Sequence, residues 1–368
     1  MIKVSVLDLL MRKNIKGRGS QFNLPNRFEK VYIEPSDDYD EYFDGDEIRK
    51  IETVFFKDYS KSVLVKNESP DIGAGYSINP YRGCEHGCVY CYARPTHEYL
   101  GFSPGLDFET KIMVKHDAHI LLEKEFAKKN WMPQTVLFSG NTDCYQPVER
   151  KLEITRKCLG VFLRFGNPVV IITKNALVQR DIDILKELSE QNLVRVVISI
   201  TTLKKDLQRK MEPRTSSPAM RLQTMNVLSS NGITAAVNVA PIIPGLTDEE
   251  IPEILRSASE NGAIYAGRIM LRLPHSVKEL FSSWIRKEFP DRADKILNRI
   301  KELRGGKLYD SNFSTRLTGE GIWAETIKKI FESNCRKYGL NKNKTPMPVS
   351  HFKIPDSLSE SDQYNIFG

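Results

Sequence analysis

Short apolar runs alternate with longer amphipathic stretches along most of this chain, and the pattern predicts strands that are each followed by a helix. Runs rich in β-branched residues predict strands at residues 135–139, 169–173, 194–201, 233–239 and 264–273. Apolar residues at helical spacing predict helices at residues 148–165, 176–190, 218–231, 247–261 and 321–338. The helix at 247–261 is expected to begin with a capping box at Thr247.

Strands that alternate with helices pair in parallel through right-handed crossovers. The pattern supports about six such units, the first of which carries a cysteine-rich loop, and six are too few for a closed eight-unit barrel. We therefore predict an α/β fold, an open partial (β/α)6 TIM-like barrel at residues 66–303, with chemistry at the C-terminal strand ends. Residues 1–65 are predicted to form an N-terminal extension, and residues 304–368 a loop, a helix and a flexible tail.

The composition is that of a soluble protein, and its charge is unevenly distributed along the chain. Of 368 residues, 40% are apolar and 27% charged, which is typical of a soluble globular protein. No run approaches the roughly 18 apolar residues of a membrane span, and the start lacks a secretory signal, so we expect a cytoplasmic location. The net charge is +7, yet residues 34–47 hold eight acids and no base, which predicts local disorder. The basic remainder favours an anionic partner such as nucleic acid, although solvated surfaces produce the same excess.

Three cysteines fall within eight residues, in the stretch Cys84-Glu85-His86-Gly87-Cys88-Val89-Tyr90-Cys91 after the first strand. In a reducing compartment such a group indicates metal or redox chemistry rather than disulfides. Three thiolates can hold three irons of a cubane cluster and leave the fourth iron open to another ligand. A zinc site that includes His86 and a set of ordinary buried cysteines are the alternatives.

The C-x3-C-x2-C spacing, with Tyr90 directly before the last cysteine, resembles the signature loop of the radical S-adenosylmethionine superfamily. The resemblance implies that Cys84, Cys88 and Cys91 bind a [4Fe–4S] cluster whose open iron chelates the methionine end of S-adenosylmethionine (SAM). It also implies reductive cleavage of SAM to a 5′-deoxyadenosyl radical, which takes a hydrogen atom from the substrate. The implied electron donor is a flavodoxin or a ferredoxin.

The resemblance also implies roles for polar residues that follow the later strands. Gly140, Asn141, Thr142 and Asp143 stand where family members carry a Gly-Gly-Glu-like motif for the methionine ammonium, although Asn141-Thr142-Asp143 departs from the usual acid position. Lys174 and Arg214 suit the methionine carboxylate. Ser199 suits a ribose hydroxyl, and Asn238 with residues 241–245 is similar to the segment that flanks adenine. The alternative, apart from the resemblance, is that Lys174 and Arg214 are surface cations and that Ser199 is a buried hydroxyl satisfied by the backbone.

Further similarity points to one branch of the superfamily. The cysteine loop, residues 106–115, Thr173-Lys174 and Glu212-Pro213-Arg214 resemble the group related to spore photoproduct lyase, often described as DNA repair photolyase-like. The segment Gly17-Arg18-Gly19 is similar to an uncharacterised bacterial branch of that group. Cys144 is a candidate hydrogen donor by this resemblance, or an ordinary loop cysteine.

Three functions follow as hypotheses. The first is radical chemistry on a nucleic acid, of the lyase or repair type, with a groove lined by Arg268, Arg272, Arg304 and Lys307. The second is radical modification of a protein, peptide or small metabolite, and the third is a non-catalytic iron–sulfur protein. The terminal peptide Gln363-Tyr364-Asn365-Ile366-Phe367 resembles peptides that dock on the bacterial sliding clamp, or it packs on the body of the protein.

Overall fold

The structure is a computed structural model, and it describes residues 15–28, 51–343 and 345–356. Two sheets form in these ranges. A seven-stranded sheet has the order β10-β9-β8-β7-β6-β3-β2, and a three-stranded sheet has the order β1-β5-β4. The strands are β1 (Val54–Lys57), β2 (Leu64–Lys66), β3 (Tyr76–Ile78), β4 (Tyr81–Arg82), β5 (Lys111–Val114), β6 (Val136–Phe138), β7 (Val169–Thr173), β8 (Val194–Ile200), β9 (Ala235–Ile242) and β10 (Tyr265–Met270).

The larger sheet confirms the predicted architecture. Strands β3, β6, β7, β8, β9 and β10 pair in parallel, whereas β2 joins β3 in the antiparallel sense. The two ends of the strand order do not pair with each other, so the barrel is open and holds six parallel strands within the described ranges. All six carboxyl ends therefore meet at one edge, where the connecting loops gather.

Helices connect the strands and cover the outer face of the sheet. They are α1 (Asp107–Thr110), α2 (Ala118–Phe126), α3 (Glu149–Leu152), α4 (Ile154–Phe165), α5 (Ile182–Glu190), α6 (Lys205–Met211), α7 (Pro218–Ser230), α8 (Ile251–Glu260), α9 (Val277–Glu288), α10 (Ala293–Glu302) and α11 (Gly321–Lys337). In the described ranges, 3-10 segments lie at Arg94–Leu100, Ala176–Asp181 and Asp248–Glu250, and the last two lead directly into α5 and α8.

The two faces of the strands have different environments. In β7, Val169 and Ile171 are fully buried, whereas Val170 and Ile172 on the other face are partly exposed. The buried face packs against the helices, and Phe162 of α4 belongs to that core. The other face lines the inside of the open barrel, which we call the lumen. This alternation follows from the period of two along a strand.

Two helix starts differ from the prediction. The helix expected at 148–165 is broken at Glu153, whose φ of 52° is left-handed, and α4 begins only after it. The capping box at Thr247 does not form, because the Thr247 hydroxyl accepts a hydrogen bond from the Ile243 amide at 2.9 Å. A 3-10 turn follows instead, and α8 starts at Ile251 with Pro252 in its first turn.

The predicted N-terminal extension contributes to the body of the protein. Residues 51–65 contain β1 and part of β2, and residues 15–28 contact the loops at the C-terminal edge. The acidic run at 34–47 lies outside the described residues, as does the peptide at 363–367. Across the described ranges, no helix is both long and apolar enough to cross a bilayer.

The predicted C-terminal region, residues 304–368, includes a segment after α11 that contacts the barrel where the structure describes it. The Asn341 side chain accepts from the Ala266 amide at 3.0 Å and donates to the Ala266 carbonyl at 2.9 Å. It therefore satisfies the backbone amide and carbonyl of Ala266 in β10, at the open edge of the barrel. Farther along, Phe352 packs its ring on Phe126 and Phe165. Polar composition alone did not reveal that this segment supplies an edge strand with partners.

Candidate active site

The cysteine loop, residues 83–91, follows the short strand β4 and lies at the C-terminal edge of the barrel. Glycines at either side of Cys84 turn the chain, with φ of 80° at Gly83 and 65° at Gly87, where a residue with a Cβ atom would be strained. Cys84 and Cys88 are buried and Cys91 is half-buried, and none of the three forms a disulfide. Three reduced thiols therefore lie on one tightly turned loop.

An ion pair with no solvent exposure supports this loop. The Arg94 guanidinium contacts the Glu109 carboxylate at 2.5 Å, and both side chains are fully buried. Arg94 also donates to the Cys88 carbonyl from Nε at 3.0 Å and from Nη2 at 2.9 Å. The pair thus fixes the backbone of the middle cysteine.

A second support comes from His86, which lies inside the loop. Its Nδ1 is 3.4 Å from Asp143 Oδ2, and its Nε2 is 3.1 Å from the Asn175 amide nitrogen. Burial alone would raise the pKa of Asp143, but the charge and hydrogen bond of His86 and two backbone amides lower it below its ordinary value. Both ring nitrogens of His86 are engaged, so the loop offers no histidine to a metal. The alternative of a zinc site that uses His86 loses its fourth ligand.

A cluster of buried charges lies beside the loop, between the ends of β7 and β8. Glu212 is fully buried and forms ion pairs with Lys174 at 3.2 Å and with Arg221. The Tyr90 hydroxyl donates to Glu212, and the Thr201 hydroxyl does so at 2.6 Å. Burial alone would raise the pKa of Glu212, but Arg221 and Lys174 and the two hydroxyls lower it well below its usual range. Glu212 is therefore a carboxylate at any physiological pH.

The lumen contains polar side chains on neighbouring strands. Ser199 of β8 and Asn238 of β9 are register partners, so their side chains point to the same face. Both are largely buried. A cavity of about 500 Å³ runs inside the barrel beneath them and includes Asn238 and Gly267 in its lining. This volume is in the range of pockets that hold small molecules.

The cysteine loop and the strands around it match a known protein family. A family model described as the radical SAM superfamily matches residues 78–258, which include the cysteine loop and strands β6 to β9. An uncharacterised protein of Mycobacterium tuberculosis is 34% identical over 255 residues, which cover 68% of this chain and 73% of the relative. The chain belongs to the radical SAM superfamily.

Other similar proteins fit this assignment. An uncharacterised protein of Methanocaldococcus jannaschii is 30% identical over 201 residues, covering 55% of this radical SAM chain and 71% of the relative. The solved structure of spore photoproduct lyase complexed with dinucleoside spore photoproduct superposes with a TM-score of 0.57 at 16% identity. That alignment covers 78% of this chain and 80% of the lyase, and it shows a shared fold.

Radical SAM proteins use a [4Fe–4S] cluster and SAM, and the three thiols fit such a cluster. Among the described residues, no three His, Cys, Asp or Glu side chains converge closely enough for one metal ion. A cubane has no need of such convergence, because each thiolate binds a different iron. Burial, the Asp143 carboxylate and the other two thiols raise the pKa of Cys84, so this thiol is neutral until a metal displaces its proton.

The motif predicted for the methionine ammonium is already engaged in the structure. Asp143 accepts from the Thr173 hydroxyl and the Lys174 amide, both at 2.8 Å, in addition to His86. The Thr142 hydroxyl donates to the Tyr81 carbonyl at 2.9 Å, and the Asn141 amide donates to Asn79 at 2.9 Å. The Gly140 carbonyl accepts from the Tyr92 hydroxyl. Asp143 therefore braces the loop and does not present a free carboxylate.

Two further predicted residues have other surroundings in the structure. Arg214 pairs with Glu85 of the cysteine loop at 3.2 Å, so its predicted contact with a methionine carboxylate is not supported. Cys144 is fully buried in the main hydrophobic core together with Cys158 of α4. Burial and the Asp143 carboxylate raise the pKa of Cys144. Its surroundings are those of a core thiol, and they do not favour the role of hydrogen donor.

Sequence reasoning missed Glu212, Arg221 and the Arg94–Glu109 pair. Glu212 stands two residues before Arg214, and the motif that contains both was noticed. The choice between them depended on which side chain points inward. Burial decides this question, and a single sequence does not reveal it at the turn after α6.

Proposed function

We propose that this protein is a radical SAM enzyme that takes a hydrogen atom from a nucleic acid, in a reaction of the lyase or repair type. Cys84, Cys88 and Cys91 would hold the cluster. Lys174 at the loop, with Ser199 and Asn238 in the lumen, would contact SAM. When bound, the two cofactors supply the radical, while the chain positions the substrate and excludes water.

The observation that carries the choice of substrate is the position of Arg272. This residue follows β10, and its guanidinium carbon lies 4.9 Å from the centre of the Tyr92 ring. Tyr92 comes directly after Cys91, and 43% of its surface is exposed. The Arg272 Nε is buried and has no hydrogen-bond partner among the described residues. A cation with an unsatisfied donor therefore lies next to an exposed aromatic ring at the cysteine loop.

This pair matches the chemistry of a nucleotide. An arginine fork binds phosphate oxygens or base edges, and an exposed ring stacks on a base. The neighbouring Arg316 is neutralised by Asp71 at 2.5 Å and 2.6 Å, whereas no described acid forms an ion pair with Arg272. A structural relative, spore photoproduct lyase, was solved with a dinucleoside ligand, which supports the same substrate class here.

Arg304, one of the residues predicted to line a basic groove, has a structural role instead. Arg304 is buried, and it donates to the Leu271 and Thr315 carbonyls, both at 2.8 Å. It therefore holds two loops together and is not available to a substrate. Lys307 is exposed, and Arg268 keeps a buried Nη1 without a partner among the described residues. Lys307 stays in the proposal with Arg272, whereas the Arg268 guanidinium lies 5.8 Å from the centre of the Phe331 ring of α11.

Other parts of the proposal concern partners and location. Radical SAM enzymes need a reductant, for which we propose a flavodoxin or a ferredoxin. We place the reaction in the cytoplasm, where the free cysteines stay reduced. Docking of residues 363–367 on the sliding clamp stays a prediction.

The test is binding and turnover with Arg272→Gln, beside Arg336→Gln as a control that removes an exposed arginine of α11. We expect Arg272→Gln to weaken binding of an oligonucleotide about tenfold and to reduce the slope of log affinity against log salt by about one. The control should match the wild type. Absence of any DNA or RNA affinity at low salt, in a chain that still cleaves SAM, would contradict the substrate and favour a protein, peptide or small metabolite.

A further inference from the structure

Residues 18–20 contact the back of the cysteine loop, although they lie far outside the 78–258 range of the family match. We infer that Arg18, Gly19 and Ser20 form a positioning segment for Cys88, the middle ligand of the proposed cluster. The inference rests on the cluster assignment of the proposed function and is independent of the substrate.

The first step is the contact that Arg94 makes with the backbone of Cys88. Two guanidinium nitrogens hold the Cys88 carbonyl, and Nη1 donates to the Pro104 and Gly105 carbonyls at 3.2 Å and 2.8 Å. Nε and Nη1 are thus committed to the backbone, and Nη2 is shared between the Cys88 carbonyl and the Glu109 carboxylate. Any rotation of Arg94 would move the carbonyl of a cluster ligand.

The second step runs from Arg94 to Glu109, whose carboxylate must be satisfied without water because it has no exposed surface. Besides Arg94, two backbone amides donate to Glu109. They are Gly19 N–H to Oε2 at 2.9 Å and Ser20 N–H to Oε1 at 2.7 Å. Without these two donors Glu109 would keep one oxygen unpaired, and its grip on Arg94 would change.

The third step is a close backbone approach. A Cβ atom on Gly19 would lie 1.7 Å from the Gly87 carbonyl oxygen, in the middle of the cysteine loop. Glycine is therefore required at position 19 for the two chains to touch. Arg18 fastens the segment, because it donates to the Glu109 carbonyl at 2.8 Å and to the Thr53 hydroxyl at 2.9 Å.

These contacts end on the residues that carry the ligands. One path reaches the Cys88 carbonyl through Glu109 and Arg94, and the other reaches Gly87 directly. Hydrogen bonds one layer behind metal ligands set the orientation of those ligands and the retention of the metal. The segment is therefore expected to affect the cluster itself, beyond any effect on the stability of the fold.

The test compares Gly19→Ala with the wild type after anaerobic reconstitution of the full chain with iron and sulfide. The new methyl group displaces residues 18–20 from the loop. We expect iron to be lost to a chelator about tenfold faster, as is usual when an outer partner of a metal ligand is removed. We also expect a changed electron paramagnetic resonance spectrum of the reduced cluster, which a merely structural role would leave unaltered.

The control is Gly73→Ala, a glycine with negative φ and open space around its Cβ position. It should retain iron as the wild type does. Arg18→Lys is the second variant, because it keeps the charge and the glycine contact while removing the fork to Glu109 and Thr53. It should also lose iron faster, and it decides the matter if Gly19→Ala does not fold.

Wild-type iron retention and an unchanged spectrum in both Gly19→Ala and Arg18→Lys would overturn the inference. Loss of nucleic-acid binding alone would not bear on it, since the readout is the cluster. A chain that loads no cluster even as wild type would contradict both this inference and the cluster assignment. A chain that retains the cluster but ignores nucleic acid would contradict only the proposed substrate.

Discussion

At the scale of single residues, the site is built from charges that are buried and paired with one another. Glu212 meets Lys174, Arg221 and two hydroxyls without any exposed surface. Taking such groups out of water is costly, and only complete pairing offsets this cost. The cluster joins Tyr90, which stands one residue before Cys91, to the ends of β8 and β9 through Thr201 and Ala240. It therefore connects the cysteine loop to the barrel.

Glu212→Gln should destabilise the protein by about 3 kcal/mol, because it leaves two buried cations without their counter-charge. The free energy of unfolding in urea measures this effect. The matched control is Glu187→Gln on the exposed face of α5, which should change that free energy by less than about 0.5 kcal/mol. Equal stability of the two variants would contradict the role given to Glu212.

The difference in stability between the wild type and Glu212→Gln is expected to depend on pH. The pKa of Glu212 is depressed in the folded state, with an ordinary value of 4.5. The stabilisation from ionised Glu212 is therefore fully present at pH values above 4.5. It is lost as the pH falls toward the lower pKa that Glu212 has in the folded state. The difference in free energy of unfolding between the wild type and Glu212→Gln should be constant from neutral pH down to the ordinary pKa of a glutamate. It should become smaller only in stronger acid.

Residue identities near the site were only partly predictable. The cysteines follow from spacing, since three thiols in eight residues suit few alternatives. Asp143 and Arg214 were predicted to contact SAM because they follow strands. In the structure, Asp143 contacts His86 and Arg214 forms an ion pair with Glu85. Whether a polar side chain faces the lumen or a neighbouring loop depends on tertiary contacts, which the local pattern does not contain.

At the scale of elements, prediction worked best for short, uninterrupted apolar runs. The strand at 169–173 matches β7 at both ends, because its apolar run has few other interpretations. The break at Glu153 was missed, since nothing in the local sequence marks a left-handed residue there. The edge pairing of Asn341 was missed for a different reason, because a single side chain does what a strand would otherwise do.

Asn341→Ala should reduce the free energy of unfolding by about 2 kcal/mol. Two side-chain hydrogen bonds to β10 are lost, and alanine would have to adopt a φ of 60°. Asn343→Ala is the control, because among the described residues Asn343 contributes only its backbone carbonyl to a hydrogen bond, which it accepts from the Tyr265 hydroxyl. Thermal unfolding of both variants distinguishes a structural tail from a loose one, and identical melting temperatures would contradict the pairing.

At the scale of the whole molecule, segments from outside the predicted barrel complete it. Residues 15–28 contact the loops at the cysteine edge, and residues 341–356 contact the strands and helices at the other end. Fold class and cofactors could be predicted from the sequence, because the βα rhythm and the cysteine spacing are both specific. The substrate could not, because one fold and one cofactor pair serve many reactions.

We propose above all that Cys84, Cys88 and Cys91 hold a cluster that cleaves SAM. The direct measurement is 5′-deoxyadenosine formed after anaerobic reconstitution, reduction and addition of SAM, with and without an oligonucleotide. We predict product from the wild type and from Cys144→Ala, whose thiol lies in the core, and none from Cys88→Ala. A fully loaded wild-type cluster that yields no 5′-deoxyadenosine under either condition would contradict the claim.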